Sequence, residues 1–113
     1  MSCRSELRGL VEVDSAIRKK GGQLLALSVD TPEQSRALRD EQDLPYRLLC
    51  DPQREVIRAY GLEHHGGGPD GEIIAVPAQY LLLRDGTVAW QFVSRRITQR
   101  AAPEVTLAAI ATL

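Results

Sequence analysis

Two cysteines carry the thiol chemistry of this 113-residue chain, and they sit in different surroundings. Cys3 opens a helical pattern in which Leu7, Leu10, Val11 and Ile17, with Ala16 beside the last, recur at helical spacing, and Gly21-Gly22 stops it after Lys19-Lys20. A thiol at a helix N-terminus lies beside backbone N–H groups that have no intrahelical partner and at the positive end of the helix dipole. Both favour the thiolate, which is the nucleophilic form of cysteine. Arg4 adds positive charge next door, and Glu6, one turn on, subtracts some. The competing reading is a frayed terminal residue whose thiol does nothing, and position alone does not choose between the two.

Other residue types offer weaker chemistry. Cys50 ends an apolar run ahead of Asp51-Pro52, a setting that suits a small buried residue better than a resolving thiol. Adjacent histidines, His64 and His65, stand in a glycine-rich stretch without a Cys/Asp/His set to complete a metal site, because zinc needs three or four converging ligands. No metal and no cofactor is expected. Gly66-Gly67-Gly68 does not link a strand directly to a helix, so a phosphate cradle is a poor reading. Trp90 lies at strand spacing from Phe92 and reads as sheet surface or core, while Asp30 and Asp51 read as helix caps.

The elements that must position these residues follow from periodicity and punctuation. A helix is expected from Cys3 to Lys20. Leu24 to Val29 is a short apolar run that suits a strand covered on both faces in a parallel sheet. Thr31, Pro32 and Gln34 form a hydroxyl cap, a first-turn proline and a returning amide, which start a helix running to about Gln42. Tyr46 to Cys50 reads as a strand burying Leu48 and Leu49. Asp51-Pro52 repeats the cap-then-proline signal before a brief helix with Val56, Ile57 and Tyr60 on its apolar face and Gly61 as its stop. Leu62 to Glu72 is too rich in glycine for regular structure and is expected to be an exposed, mobile loop. Ala78 to Leu83 and Val88 to Val93 flank Asp85-Gly86, a hairpin signal. Pro103 starts a last helix expected to turn Leu107, Ile110 and Ala111 to the core. Strands separated by helices early and a hairpin late predict an α/β domain, a mixed sheet flanked by helices, over residues 1–113.

Composition narrows the function classes. Lys+Arg 14 against Asp+Glu 15 gives a net charge of -1, with no basic stripe, so neither nucleic acid nor a membrane surface is an expected partner. No apolar run approaches the ~18 residues of a membrane span, and Met1 to Leu10 carry Arg4, Glu6 and Arg8 rather than a secretory hydrophobic stretch. A cytoplasmic location is the expectation.

Cys3-Arg4-Ser5-Glu6-Leu7, then Gly22 to Asp30, then Pro45-Tyr46-Arg47-Leu48-Leu49-Cys50-Asp51-Pro52 and Ala59-Tyr60-Gly61 resemble the alkyl hydroperoxide reductase/thiol-specific antioxidant family. These are the peroxiredoxin, or redoxin, members of the thioredoxin-like superfamily, and the segments come in the same order at similar spacing. Val76-Pro77-Ala78-Gln79-Tyr80-Leu81-Leu82-Leu83-Arg84-Asp85-Gly86 resembles the family's later strand, which begins near a proline and ends in an Asp-Gly hairpin. The resemblance implies a thioredoxin-like fold of α/β/α layers and a thiol-dependent antioxidant oxidoreductase that reduces peroxides. By it Cys3 matches the peroxidatic cysteine, or equally the second cysteine of a thioredoxin-type Cys-x-x-Cys. A peroxide or disulfide substrate and a thioredoxin-like or low-molecular-weight thiol reductant are the implied partners. Arg4 and Pro77 are the implied substrate-side residues.

The departures from the family pattern shape the alternatives. The family carries a Thr or Ser three residues before the peroxidatic cysteine, and its peroxide-polarising arginine, counted back from Tyr80, falls on Pro77. A proline there resembles the thioredoxin cis-proline, which faces the active cysteines and exposes backbone to an incoming thiol substrate. Arg84, Arg95 and Arg96 could approach Cys3 only if the fold delivers them. The strand that precedes the active cysteine in thioredoxin-like domains has no counterpart before Cys3. The expectation is therefore a domain incomplete at its N-terminus, a divided sheet or an intermolecular contact that closes it, and a possible homodimer. A thiol–disulfide oxidoreductase and a redox-inactive thioredoxin-like interaction module are the alternative functions, and peroxide reduction by this chain is expected to be slow.

Overall fold

The computed structural model describes residues 3–68, 70–94 and 101–113, with side chains of the first helix described from Glu6 onward. That helix, α1, spans Cys3–Lys19, with Arg18 and Lys19 in its last turn to complement the dipole. Strand β1 (Leu25–Ser28) leads to α2 (Pro32–Gln42), where the expected box is present: Thr31 Oγ1 accepts from Gln34 N at 3.2 Å and Gln34 Oε1 accepts from Thr31 N at 2.9 Å. Thr31 makes this cap, and Asp30 does not. Strand β2 (Arg47–Cys50) lies parallel to β1, with Leu25 opposite Arg47 and Ser28 opposite Cys50.

The β1–β2 ladder is covered on one face, which corrects the expectation of a strand buried on both. Ala26 and Leu48 turn inward, where Leu7, Leu10 and Val11 of α1, Leu38 of α2, and Leu44 and Tyr46 form the main apolar cluster. Leu25, Leu27 and Leu49 point the other way and are exposed, because strand side chains alternate and among the described residues no element covers that face. Tyr46, rather than Leu49, is the buried anchor of this segment, at 2% exposure, and its hydroxyl donates to the Leu7 carbonyl. Beside it, Arg18 donates to the Pro45 carbonyl at 2.7 Å and pairs with buried Asp14 at 3.1 Å. Together these bonds fix α1 against the start of β2.

Helix α3 spans Glu55–Ala59, later than the Asp51-Pro52 signal suggests. Asp51 still caps it, from three residues further out: its two carboxylate oxygens accept from Glu55 N and Ile57 N, each at 2.9 Å. Ile57 is buried, whereas Val56 and Tyr60 are exposed. The Leu62 to Glu72 stretch contains regular structure after all. Strand β3 (Glu63–His64) pairs antiparallel with β4 (Ile74–Ala75). Glycine is required between them, because a Cβ at Gly67 would lie 2.6 Å from His64 Nδ1.

The hairpin of β5 (Ala78–Leu82) and β6 (Val88–Val93) follows as expected, and Tyr80 on β5 meets Tyr60 edge-on at 5.0 Å between ring centres. Helix α4 (Pro103–Ala111) packs along α1 in the same direction, with Pro103 against Gly9 and the Leu113 carbonyl bonded by Lys20 Nζ at 2.9 Å. A Cβ at residue 9 would lie 2.9 Å from Pro103 Cγ, so the helical glycine sets how closely the two helices approach. On α4, Ile110 is buried as expected, but the exposed Ala111 gives its place to Thr106. Among the described residues the strands form three two-stranded ladders, and β1 is not joined to β5. The expected sheet is thus present in divided form.

Candidate functional site

The N-terminus of α1 is where the fold puts Cys3, the first residue of the helix. The side chains of Cys3 and Arg4 lie outside the described residues, as do Arg95 and Arg96. The first described residue of the site is Glu6, one turn into α1. Gln79 Nε2 donates to Glu6 Oε2 at 3.3 Å, and Gln79 Oε1 accepts from Thr106 Oγ1 at 2.6 Å. One amide thereby ties the first turn of α1, the start of β5 and the middle of α4 into one chain of hydrogen bonds. Thr106 is buried at 4% exposure, so this bond is shielded from water.

Pro77 lies two residues before Gln79, at the same end of β5 as Glu6. Its peptide bond with Val76 is trans, unlike the cis-proline that it resembles in sequence. The backbone around it is already engaged: Val76 N–H donates to the Leu62 carbonyl at 2.7 Å, and the Pro77 carbonyl accepts from Ser94 N at 2.9 Å. These two groups are not free for an incoming chain. Arg84 is exposed in the hairpin turn, and the length of β5 at ~3.3 Å per residue puts it ~16 Å from the Gln79 end. The fold does not bring it to Glu6.

Cys50 is half-buried at the end of β2, and its S–H donates to Ser35 Oγ at 3.3 Å. The groove beside it is walled by residues of α2 and β2, with none from α1 or β5. His64 is a strand residue against Gly67, and no group of three His, Cys, Asp or Glu side chains converges among the described residues. Glu63, next to His64, joins β3 to α3 through Arg54 at 3.2 Å and Arg58 at 3.4 Å. Burial works against its ionisation, but the bonds from both arginines outweigh it and hold the carboxyl below its ordinary value.

The sequence-level reading of the site passed over Gln79 and Thr106. The available signal was one polar residue within the apolar run Ala78-Gln79-Tyr80-Leu81-Leu82, at the end of the strand nearest the proline.

The AhpC/TSA family model matches residues 1–91 of this chain. The chain belongs to the AhpC/TSA family. Peroxiredoxin bcp1 of Schizosaccharomyces pombe is 46% identical over 46 residues, which are 41% of this chain and 24% of that protein, so the match spans about a quarter of the relative's length. Among solved structures, AhpC of Enterococcus faecalis superimposes with a TM-score of 0.81 at 20% identity, covering 99% of this chain and 66% of that one. Prx3 of Vibrio vulnificus, solved in its reduced form with hydrogen peroxide, gives a TM-score of 0.80 at 20% identity over 93% of this chain and 66% of that one. The thioredoxin-like fold of the peroxiredoxins is therefore the fold of this family member. Among the described residues no helix is long and apolar enough to cross a membrane.

Proposed function

We propose that this AhpC/TSA member is a peroxiredoxin-like thiol peroxidase whose nucleophile is Cys3. The observation that carries the reading is the placement of Cys3 as first residue of α1, in the helix turn that Glu6 and Gln79 anchor to β5. The Cys3 thiolate attacks one oxygen of the peroxide. The S–O bond forms as the O–O bond breaks, and the leaving oxygen takes a proton to depart as water or an alcohol. The resulting sulfenic acid condenses with a reductant thiol, releasing water and leaving a mixed disulfide. A second thiol then attacks that disulfide and returns Cys3 to the thiol. Arg4 supplies positive charge beside the nucleophile, and Pro77 forms part of the substrate side. The reductant is a thioredoxin-like protein or a small thiol, and the reaction belongs in the cytoplasm.

The occupied backbone around Pro77 favours a small peroxide over the extended chain that a disulfide reductase must seat. The test is trapping of sulfenic acid with dimedone after hydrogen peroxide is added to the chain, to Cys3→Ser and to Cys50→Ser. Trapping at Cys3 is expected, kept in Cys50→Ser and lost in Cys3→Ser. The rate is expected near that of an unassisted thiolate, because a proline stands where the polarising arginine is expected. Trapping at Cys50 alone refutes the assignment.

A further inference from the structure

A groove of ≈ 300 Å³ runs between α2 and β2, on elements that carry no residue assigned to the peroxidase reading. Arg36, Arg39 and Arg47 stand in its wall with no carboxylate among the lining residues. Their charges are poorly matched from within the protein. Arg36 reaches Glu33 at 3.9 Å, with both side chains largely exposed, and Arg39 gives one N–H to the Leu44 carbonyl at 3.5 Å. Arg47 has no ion pair or hydrogen bond from its side chain among the described residues.

Ser35 and Cys50 complete the wall. Ser35 is 5% exposed, and its hydroxyl and the Cys50 thiol share a hydrogen bond at 3.3 Å that holds the sulfur in the groove wall. Guanidinium groups present paired N–H donors that match carboxylates. The groove therefore combines donors for an oxyanion with a sulfur able to form a covalent bond.

We infer that this groove binds a carboxylate-bearing low-molecular-weight disulfide and that Cys50 exchanges with it, becoming a site of mixed-disulfide modification. The Cys50 sulfur attacks one sulfur of R–S–S–R, and the new S–S bond forms as the old one breaks. The departing sulfur takes the electron pair and the proton that Cys50 gives up, leaving as R–SH. Cys50 is oxidised, the departing half is reduced, and no further reactant is needed.

The experiment uses the full chain carrying Cys3→Ser, so that Cys50 is the single thiol. Oxidised glutathione, which is anionic, is compared with cystamine, which is cationic, and each rate is divided by that for a short cysteine peptide. Intact-mass spectrometry reads the adduct. An electropositive cleft raises encounter rates for an anion by about tenfold or more, so oxidised glutathione is expected to be favoured over cystamine by at least that factor. Arg36→Ala with Arg47→Ala should remove most of the preference, Arg36→Lys with Arg47→Lys should keep much of it, and added salt should shrink it in the unsubstituted groove. Circular dichroism identifies a variant that fails to fold, and the salt series then decides alone. Equal normalised rates for the two disulfides, a preference that salt does not change, or a Cys50 that reacts with neither until the chain is denatured would each overturn the proposal.

Discussion

Replacing Gln79 with alanine should loosen the junction of α1, β5 and α4, and the size of the loss follows from two bonds. The Thr106 hydroxyl donates to Gln79 at 2.6 Å from a residue only 4% exposed, so truncation strands a buried donor, at a cost of ~1–3 kcal/mol. A threonine in a helix can turn its hydroxyl to the carbonyl one turn back, which sets the loss toward the lower end of that range. The second bond, to Glu6 at 3.3 Å, is partly exposed and adds ~0.5–1.5 kcal/mol. The sum is ~2 kcal/mol, or a fall in Tm of ~8–16 °C at ~4–8 °C per kcal/mol for a domain of this size. Urea unfolding followed by Trp90 fluorescence measures it. A double-mutant cycle with Thr106→Val isolates the buried bond, for which a coupling of ~1 kcal/mol is expected. A loss under ~0.5 kcal/mol for Gln79→Ala, or strict additivity of the two substitutions, refutes the claim that this amide joins the three elements.

Asp51→Ala removes the acceptor of two backbone N–H groups at the start of α3 and should cost ~1–2 kcal/mol in the same urea assay, with Asp51→Asn intermediate because one oxygen remains. Glu63 titrates below its ordinary value of 4.5 in the folded chain, so its contribution is complete above pH 4.5 and is lost as pH falls through the lower folded value. Acid unfolding should therefore be less steep in Glu63→Gln than in the parent over that acid range, and identical slopes would contradict the role given to Arg54 and Arg58. Leu27→Lys, on the exposed face of β1, should reduce self-association measured by light scattering at high protein concentration, since charge on an open apolar strand opposes edge pairing.

Local chemistry made most of the elements readable. The Thr31-Pro32-Gln34 box, the Asp85-Gly86 hairpin and the apolar spacing of α1 act within a few residues, so the sequence determines them without reference to the rest of the chain. What escaped depends on tertiary neighbours. Leu25, Leu27 and Leu49 look like core residues, but alternation puts them on the face that the described elements leave open. Asp14 is buried within the predicted stripe of α1, four residues after Leu10 and three after Val11, where Arg18 pairs with it, and Val13 is buried beside that stripe. Glycine weakens regular structure, so the glycine stretch reads as loop, but Gly67 lets His64 approach closely. Cys3 is singled out as the proposed nucleophile by its position at the helix start, whereas Gln79 acquires meaning only from Glu6 and Thr106, 73 and 27 residues away.

That separation bears on how charge is arranged around Cys3, the proposed nucleophile. From the sequence, Glu6 counts against a thiolate at Cys3, since it puts negative charge one turn into the same helix. In the folded chain the Gln79 amide donates to that carboxylate and draws part of its field toward β5. Pro77 contributes no charge where a family arginine is expected, and Arg84 lies at the far end of its strand. Among the described residues, the α1 N-terminus supplies the positive field at Cys3, and Gln79 limits how far Glu6 cancels it. On the proposed reading, helix-end charge acts on the sulfur and favours the thiolate, while neither Pro77 nor Arg84 offers the departing oxygen a donor. On the proposed reading, a site that favours the thiolate but has Pro77 in place of a polarising arginine predicts slow peroxide turnover, which the dimedone-trapping rate checks.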